Sequence, residues 1–236
     1  MAKWRKLHDW DVSARQAVEM QRELAAQVAI QPLPDNIELV AGADISFDKF
    51  SEVVFAGVVV LRLPSLEVVE KSGVQTTAKF PYVPGLLSFR ELPALIEAWQ
   101  KLKAEPDAVV LDGQGLAHPR RMGIACHAGL VFERPTIGCA KSLFVGTFGD
   151  LAPERGSWSP LVHRGETVGA ALRTKNKIGP VFASPGHKSD LSGAIDLLLQ
   201  LDGGYRIPEA TRRAHLFVNE LRTAAKETSQ VLVEEP

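Results

Sequence analysis

Cysteine is scarce in this chain. Only Cys126 and Cys139 occur in 236 residues, too few for a disulfide scaffold and in keeping with a reducing cytosol. No apolar run approaches the roughly 20 residues that a membrane span needs, and the longest lies within Val53–Leu63. The first ten residues, Met-Ala-Lys-Trp-Arg-Lys-Leu-His-Asp-Trp, lack the apolar stretch of a signal peptide. A cytoplasmic protein is therefore expected. Neither sign of charge dominates, because 27 Lys+Arg face 28 Asp+Glu for a formal net charge of −1. That balance excludes a disordered chain and argues against a strongly basic, nucleic-acid-wrapping one. Tyrosine is rare as well, with two in the whole chain.

What is present suits a folded domain. Apolar residues make up 45% and charged residues 23%, near the average for soluble proteins. One domain over residues 1–236 is expected, with flexible ends at about 1–10 and 227–236. Residues 13–30 carry an apolar stripe (Ala17, Val18, Leu24, Ala25, Val28) at helical spacing. Ser13 with Gln16 matches a capping box at its start. Three β-type runs follow, Glu38–Phe47, Val53–Leu63 and Glu67–Ala78, with the short turns of an antiparallel meander. Pro81-Tyr-Val-Pro-Gly85 reads as a stiff loop and Phe89–Leu102 as a helix. Ala108–Leu111 is short and wholly apolar, which predicts a buried parallel strand. Beyond it the pattern predicts helices near Arg121–Val131, Ser189–Leu201 and Pro208–Lys226. Strands are predicted near Thr136–Ala140, Thr167–Arg173 and Val181–Ser184. The order predicts one mixed α/β sheet with helices on its faces.

Three acids stand out. Asp44 and Asp112 each end an apolar run, and a carboxylate buried there requires a backbone N–H, a cation or a metal. Asp112-Gly113 also suits a plain turn. Glu91 falls in Ser88-Phe-Arg-Glu91, the capping-box pattern, and local pattern alone favours capping. Brought together, the three would hold a hard cation through oxygen ligands. Charge is uneven along the chain: residues 118–189 carry a net +6, residues 1–117 a net −4 and residues 190–236 a net −3. A basic segment of this kind suits contact with phosphates and equally suits an ordinary solvated face.

Four segments in order resemble the endonuclease V family. They are Val40-Ala-Gly-Ala-Asp-Ile-Ser-Phe47, Pro81-Tyr-Val-Pro-Gly-Leu-Leu-Ser-Phe-Arg-Glu91, Leu111-Asp-Gly-Gln-Gly-Leu-Ala-His-Pro-Arg-Arg121 and Pro135-Thr-Ile-Gly-Cys-Ala-Lys141. Tyr205-Arg-Ile-Pro-Glu-Ala-Thr-Arg212, followed by His215, is a fifth. The resemblance spans roughly residues 12–222. It implies an RNase H-like fold and a Mg²⁺-dependent endonuclease, with Mn²⁺ as a substitute metal. The implied cut is at the second phosphodiester bond 3′ to hypoxanthine, in DNA or in RNA, leaving 3′-hydroxyl and 5′-phosphate ends.

Residue by residue, the resemblance makes Asp44, Glu91 and Asp112 the acidic cluster. Asp44 and Asp112 become direct metal ligands, and Glu91 a ligand either directly or through water. Lys141 then offsets charge at the reacting phosphate, and His215 orients the attacking water or takes its proton. The Pro81-Tyr82-Val83-Pro84 loop resembles a strand-separating wedge, with Tyr82 filling the gap left by an extruded base. Gly85 and Gly113 resemble pocket-lining glycines that let backbone groups read the base. His118 either contacts phosphate or fixes the loop, and Arg120 and Arg121 extend the nucleic-acid surface. A ribonuclease acting mainly on inosine-containing RNA is the second reading, and a non-catalytic inosine-binding module the third. A zinc deaminase is excluded, since no H-x-E with C-x-x-C accompanies the two cysteines. Nothing suggests a zipper or a long apolar patch, so a monomer is expected.

Overall fold

The computed structural model describes residues 2–48 and 51–234. Strands β1 (Leu39–Phe47), β2 (Val53–Arg62) and β3 (Glu67–Thr77) form the expected antiparallel meander. Strand β4 (Ala108–Leu111) pairs parallel to β1, and β5 (Thr136–Ala140) parallel to β4. Strands β6 (Trp158–His163), β7 (Glu166–Leu172) and β8 (Val181–Pro185) complete the sheet in the order β3-β2-β1-β4-β5-β8-β7-β6. Among the described residues there are five helices, α1 (Ala14–Ala25), α2 (Leu87–Gln100), α3 (Ile124–Phe132), α4 (Leu191–Gln200) and α5 (Glu209–Glu234), of which α2 to α5 pack on the sheet. None of the described helices is long and apolar enough to cross a membrane.

Strand alternation divides the core into two layers. Ala41 and Ala43 of β1, Val58 and Val60 of β2, and Val109 and Leu111 of β4 pack with Leu92, Leu95 and Trp99 of α2 and Val131 of α3. The intervening residues Val40, Val59, Leu61, Ala108 and Val110 face the other way. They pack with Leu197 and Leu198 of α4 and Ala210 and Ala214 of α5. A strand buried on both faces has no polar alternation to show, as Ala-Val-Val-Leu in β4 illustrates.

Two expectations change. Strand β6 was not foreseen, because Pro160 interrupts the β pattern. It is tolerated because β6 is an edge strand. Near the amino terminus the Ala2 N–H donates to the Leu102 carbonyl, and Arg5 N–H to Val131 O. The Trp99 indole N–H donates to Lys3 O at 2.9 Å. At the other end, residues 227–234 continue α5, and 235 and 236 lie outside the described residues. The second change is at α2, which begins at Leu87 with no side-chain cap. Ser88 is buried with its hydroxyl 3.0 Å from His127 Nδ1, and the Ser88–Glu91 capping box does not form. The Ser13–Gln16 box on α1 does.

Candidate active site

The parallel pairing of β1 and β4 sets Ala43 opposite Leu111. The next residues, Asp44 and Asp112, therefore emerge side by side at the carboxyl ends of adjacent parallel strands. Sites in open α/β sheets collect at such ends. Helix α5 supplies a third group. It crosses β1 so closely that a Cβ on Gly42 would lie 1.9 Å from the Ala210 carbonyl oxygen, so only glycine fits there. From that crossing, five helical residues advance about 7.5 Å and two strand residues about 6.6 Å. His215 thus arrives over Asp44, with Nδ1 2.8 Å from Asp44 Oδ2. Asn219, one turn on, sets its amide nitrogen 3.2 Å from His215 Nε2. The Asn219 amide oxygen accepts from Ser46 at 3.0 Å. Ligand atoms of Asp44, Asp112 and His215 all lie within 4.8 Å of one another.

Lys141, just past β5, donates to Asp112 Oδ2 in a very short ion pair. Glu91 comes from the second turn of α2. It stands outside the 4.8 Å group but lines the same pocket as Asp112 and Lys141. The electrostatics of the acids are those of a cation site. Burial, then the neighbouring Asp112, raises the Asp44 carboxyl to about 6, against the opposing pull of His215. Burial, then Asp44 and Asp112, raises Glu91 to about 8. Carboxyls crowded into a dry corner resist ionising together, and a bound cation relieves them. Two carboxylates with one imidazole beside them could hold a divalent cation.

Beside the acids opens a pocket of about 400 Å³, lined by Tyr82, Gly85, Ser88, Gly113, Ile124 and Phe144 among others. Tyr82 stands at its rim, 59% exposed, with its ring 6.3 Å from that of Phe47. Gly85 has φ +80°, and its carbonyl accepts three hydrogen bonds. The donors are Gln21 Nε2 at 3.0 Å, His118 Nε2 at 3.0 Å and Arg120 Nη2 at 2.7 Å. The His118 ring is buried and braces the loop, and it also lines the pocket. Burial, with Arg120 nearby, lowers its pKa to about 4.

The basic segment is largely spent inside the protein. Arg120 also binds Gln21 Oε1 at 2.5 Å. Arg121 bonds Glu166, the His118 carbonyl and both Nδ1 and the carbonyl of His163. Neither arginine lines the pocket. Pro81 and Pro84 flank Tyr82, and Pro84 reaches the pocket wall. Sequence reasoning missed Gln21, which ties α1 to Gly85 and to the Met122 carbonyl. No local signal marks it. It also missed the exposed pair Leu143 and Phe144 at the pocket mouth. Two apolar residues just past Lys141, after Ser142, were the available clue.

Comparisons with known proteins agree on one family. The sequence profile described as Endonuclease V matches residues 22–216. The endonuclease V of Myxococcus xanthus is 53% identical over 223 residues, covering 94% of this chain and 95% of that protein. The crystal structure of the Streptomyces avermitilis endonuclease V superposes with a TM-score of 0.87 at 40% identity, covering 93% of this chain and 96% of that one. The Ciona intestinalis endonuclease V is known in complex with a 24-mer DNA containing an inosine followed by a ribo-adenosine. It aligns at 26% identity and a TM-score of 0.79, over 89% of this chain and 98% of that one.

Proposed function

Because the chain belongs to the endonuclease V family, we propose that it is a divalent-cation-dependent endonuclease acting on deaminated adenine in DNA. It cuts the second phosphodiester bond 3′ to hypoxanthine and leaves 3′-hydroxyl and 5′-phosphate ends. The observation that carries this reading is the junction of two features in one cleft. A base-sized pocket rimmed by Tyr82 opens directly onto Asp112, Glu91 and Lys141.

Asp44 and Asp112 hold Mg²⁺, with Mn²⁺ as a substitute, and Glu91 completes the acidic set directly or through water. The cation, when bound, neutralises phosphate charge and lowers the pKa of a water. His215 keeps the Asp44 carboxylate turned into the cleft and stands where it can take a proton from the attacking water. Lys141 balances Asp112 at rest and faces the phosphate during the reaction, where its charge offsets the extra oxygen at phosphorus. Tyr82 occupies the space vacated by the extruded base, and Gly85 and Gly113 keep the pocket walls thin enough for the base to approach backbone groups. His118 and Arg120 hold the loop that carries Tyr82, and Arg121 holds the adjoining turn. The protein acts as a monomer in the cytoplasm, where its two buried free thiols are stable.

End-labelled duplexes with a single deoxyinosine test the reading. With Mg²⁺ the product should end one nucleotide beyond the lesion, and EDTA should abolish it. Asp44→Asn and Asp112→Asn should each lower cutting by at least ~10³-fold, about 4 kcal/mol of barrier, while lesion binding persists. Full activity in either variant would refute the assignment. The ribo-adenosine beside inosine in the Ciona complex motivates a second reading, an inosine-specific ribonuclease, which a matched RNA strand in the same assay decides.

A further inference from the structure

A chain of hydrogen bonds runs from the amino-terminal segment to the pocket wall. His8 Nδ1 lies 2.7 Å from the Asp9 carbonyl oxygen. His8 Nε2 lies 2.8 Å from His127 Nε2. His127 Nδ1 lies 3.0 Å from Ser88 Oγ, and Ser88 lines the pocket one helical turn before Glu91. None of these three side chains belongs to the metal cluster. His127 has no exposed surface. The rings of Trp10 and Phe89 pack 5.3 and 5.2 Å from it, so both of its nitrogens must be satisfied within the chain.

Proton counting fixes every direction. A carbonyl oxygen only accepts, so His8 Nδ1 carries the hydrogen. Burial lowers the His8 pKa and favours the neutral ring; a neutral imidazole has one hydrogen, so His8 Nε2 is bare and must accept. His127 Nε2 therefore carries a hydrogen and donates it. His127 is neutral, since burial pushes its pKa well below the usual range. Its Nδ1 is then bare and accepts from the Ser88 hydroxyl. The serine has one hydrogen, and it is used on His127. What remains on Ser88 Oγ is lone pairs only.

We infer that Ser88 is a specificity-determining acceptor in the pocket, locked in that role by His127 and His8, and that it reads a base edge bearing an N–H. Hypoxanthine carries N1–H where adenine carries a bare N1. An oxygen unable to donate pairs with the former and repels the latter. His127 and His8 act as positioning residues and touch no substrate. The inference deepens the proposed function and rests on it, because it takes the pocket as the seat of the extruded base.

Two measurements test it on the intact protein. The first needs no substrate. Histidine ¹⁵N NMR of the free protein should show His127 protonated on Nε2 and His8 on Nδ1. A His127 protonated on Nδ1 would make Ser88 a donor and overturn the inference. The second compares binding of matched oligonucleotides holding inosine or nebularine, whose N1 bears no hydrogen. Ser88→Ala should lower the inosine-to-nebularine affinity ratio roughly three- to tenfold, the loss of about one hydrogen bond.

His127→Phe keeps ring packing but offers no acceptor, and should lower the ratio equally. The double variant should lower it no further. His127→Asn, whose amide oxygen can stand where Nδ1 stood, should restore the parent ratio. A merely structural His127 would change melting temperature and leave the ratio alone. If the parent prefers inosine and Ser88→Ala keeps that preference intact, the inference fails while the proposed function stands. If the parent shows no preference for inosine, both fail together.

Discussion

Removing the proton-holding capacity of Glu91 should change how stability depends on pH when no metal is bound. The Glu91 carboxyl is raised from 4.5 to about 8, by burial first and by Asp44 and Asp112 next. An acid raised in the folded state keeps its proton there after the unfolded chain has lost it. Its stabilising contribution is complete below about pH 4.5 and disappears as pH climbs through about 8. Buried histidines such as His118, lowered to about 4, act in the opposite sense, but only below about pH 6.5. Asp44, raised to about 6, is mostly ionised above that point.

Between pH 6.5 and 8, then, Glu91 carries the slope. At about 1.4 kcal/mol per pH unit, the loss across this window is about 2 kcal/mol. For a chain of this size that equals a fall in melting temperature of roughly 5 °C. The assay is a set of thermal melts in EDTA at half-unit pH steps, for the parent and for Glu91→Gln. The parent should lose those degrees and the variant should stay level. Millimolar Mg²⁺ should level the parent too, since a cation beside the acids removes the reason for their protonation. Equal slopes in parent and variant would refute the electrostatic account of the cluster. A slope unchanged by Mg²⁺ would refute its description as a cation site.

Other perturbations follow from the same geometry. A Cβ on Gly138 would meet Gly113 O and Gly115 N at 2.6 Å, so Gly138→Ala must push the turn that carries Asp112. A loss of about 2 kcal/mol and at least tenfold slower cutting are expected, and a parent-like melt would refute the clash. Tyr82→Ala removes an exposed ring, so the melt should stay within about 0.5 kcal/mol of the parent, while fluorescence anisotropy should show weaker binding to inosine duplex. Ser13→Ala breaks the capping box of α1 and should cost about 1 kcal/mol with cutting rate unchanged, measured by the same melts and end-labelled assay.

How far the sequence alone revealed this arrangement varies by element, for physical reasons. Strands β4 and β5 were legible to the residue, because a short apolar run between breakers has few alternatives. Strand β6 was hidden by Pro160, whose missing donor matters little at an edge. The Ser13 and Ser88 patterns look alike in sequence and diverge in structure. Ser13 faces solvent at a free helix end, whereas Ser88 is drawn inward by a histidine 39 residues away. Asp44 and Asp112 were visible as acids ending apolar strands, but their adjacency is a property of the β1–β4 register. Part of the +6 segment is engaged within the chain. Arg173 is tied to the Ala152, Ile178 and Leu151 carbonyls and Lys175 to Gly204. Charge counts do not show which cations are already satisfied by backbone.

The triple bracing of the Gly85 carbonyl has a consequence for where the work of recognition is done. A loop fixed by Gln21, His118 and Arg120 in the free protein is a strut, not a flap. It has little entropy left to lose when nucleic acid arrives. Under the proposed function, the deformation then falls on the duplex, which must unstack to accommodate an unyielding edge. The protein behaves as a fixed gauge pressed against a compliant object. Its discrimination among lesion contexts will accordingly follow how easily each stretch of duplex opens, with A·T-flanked lesions engaged faster than G·C-flanked ones.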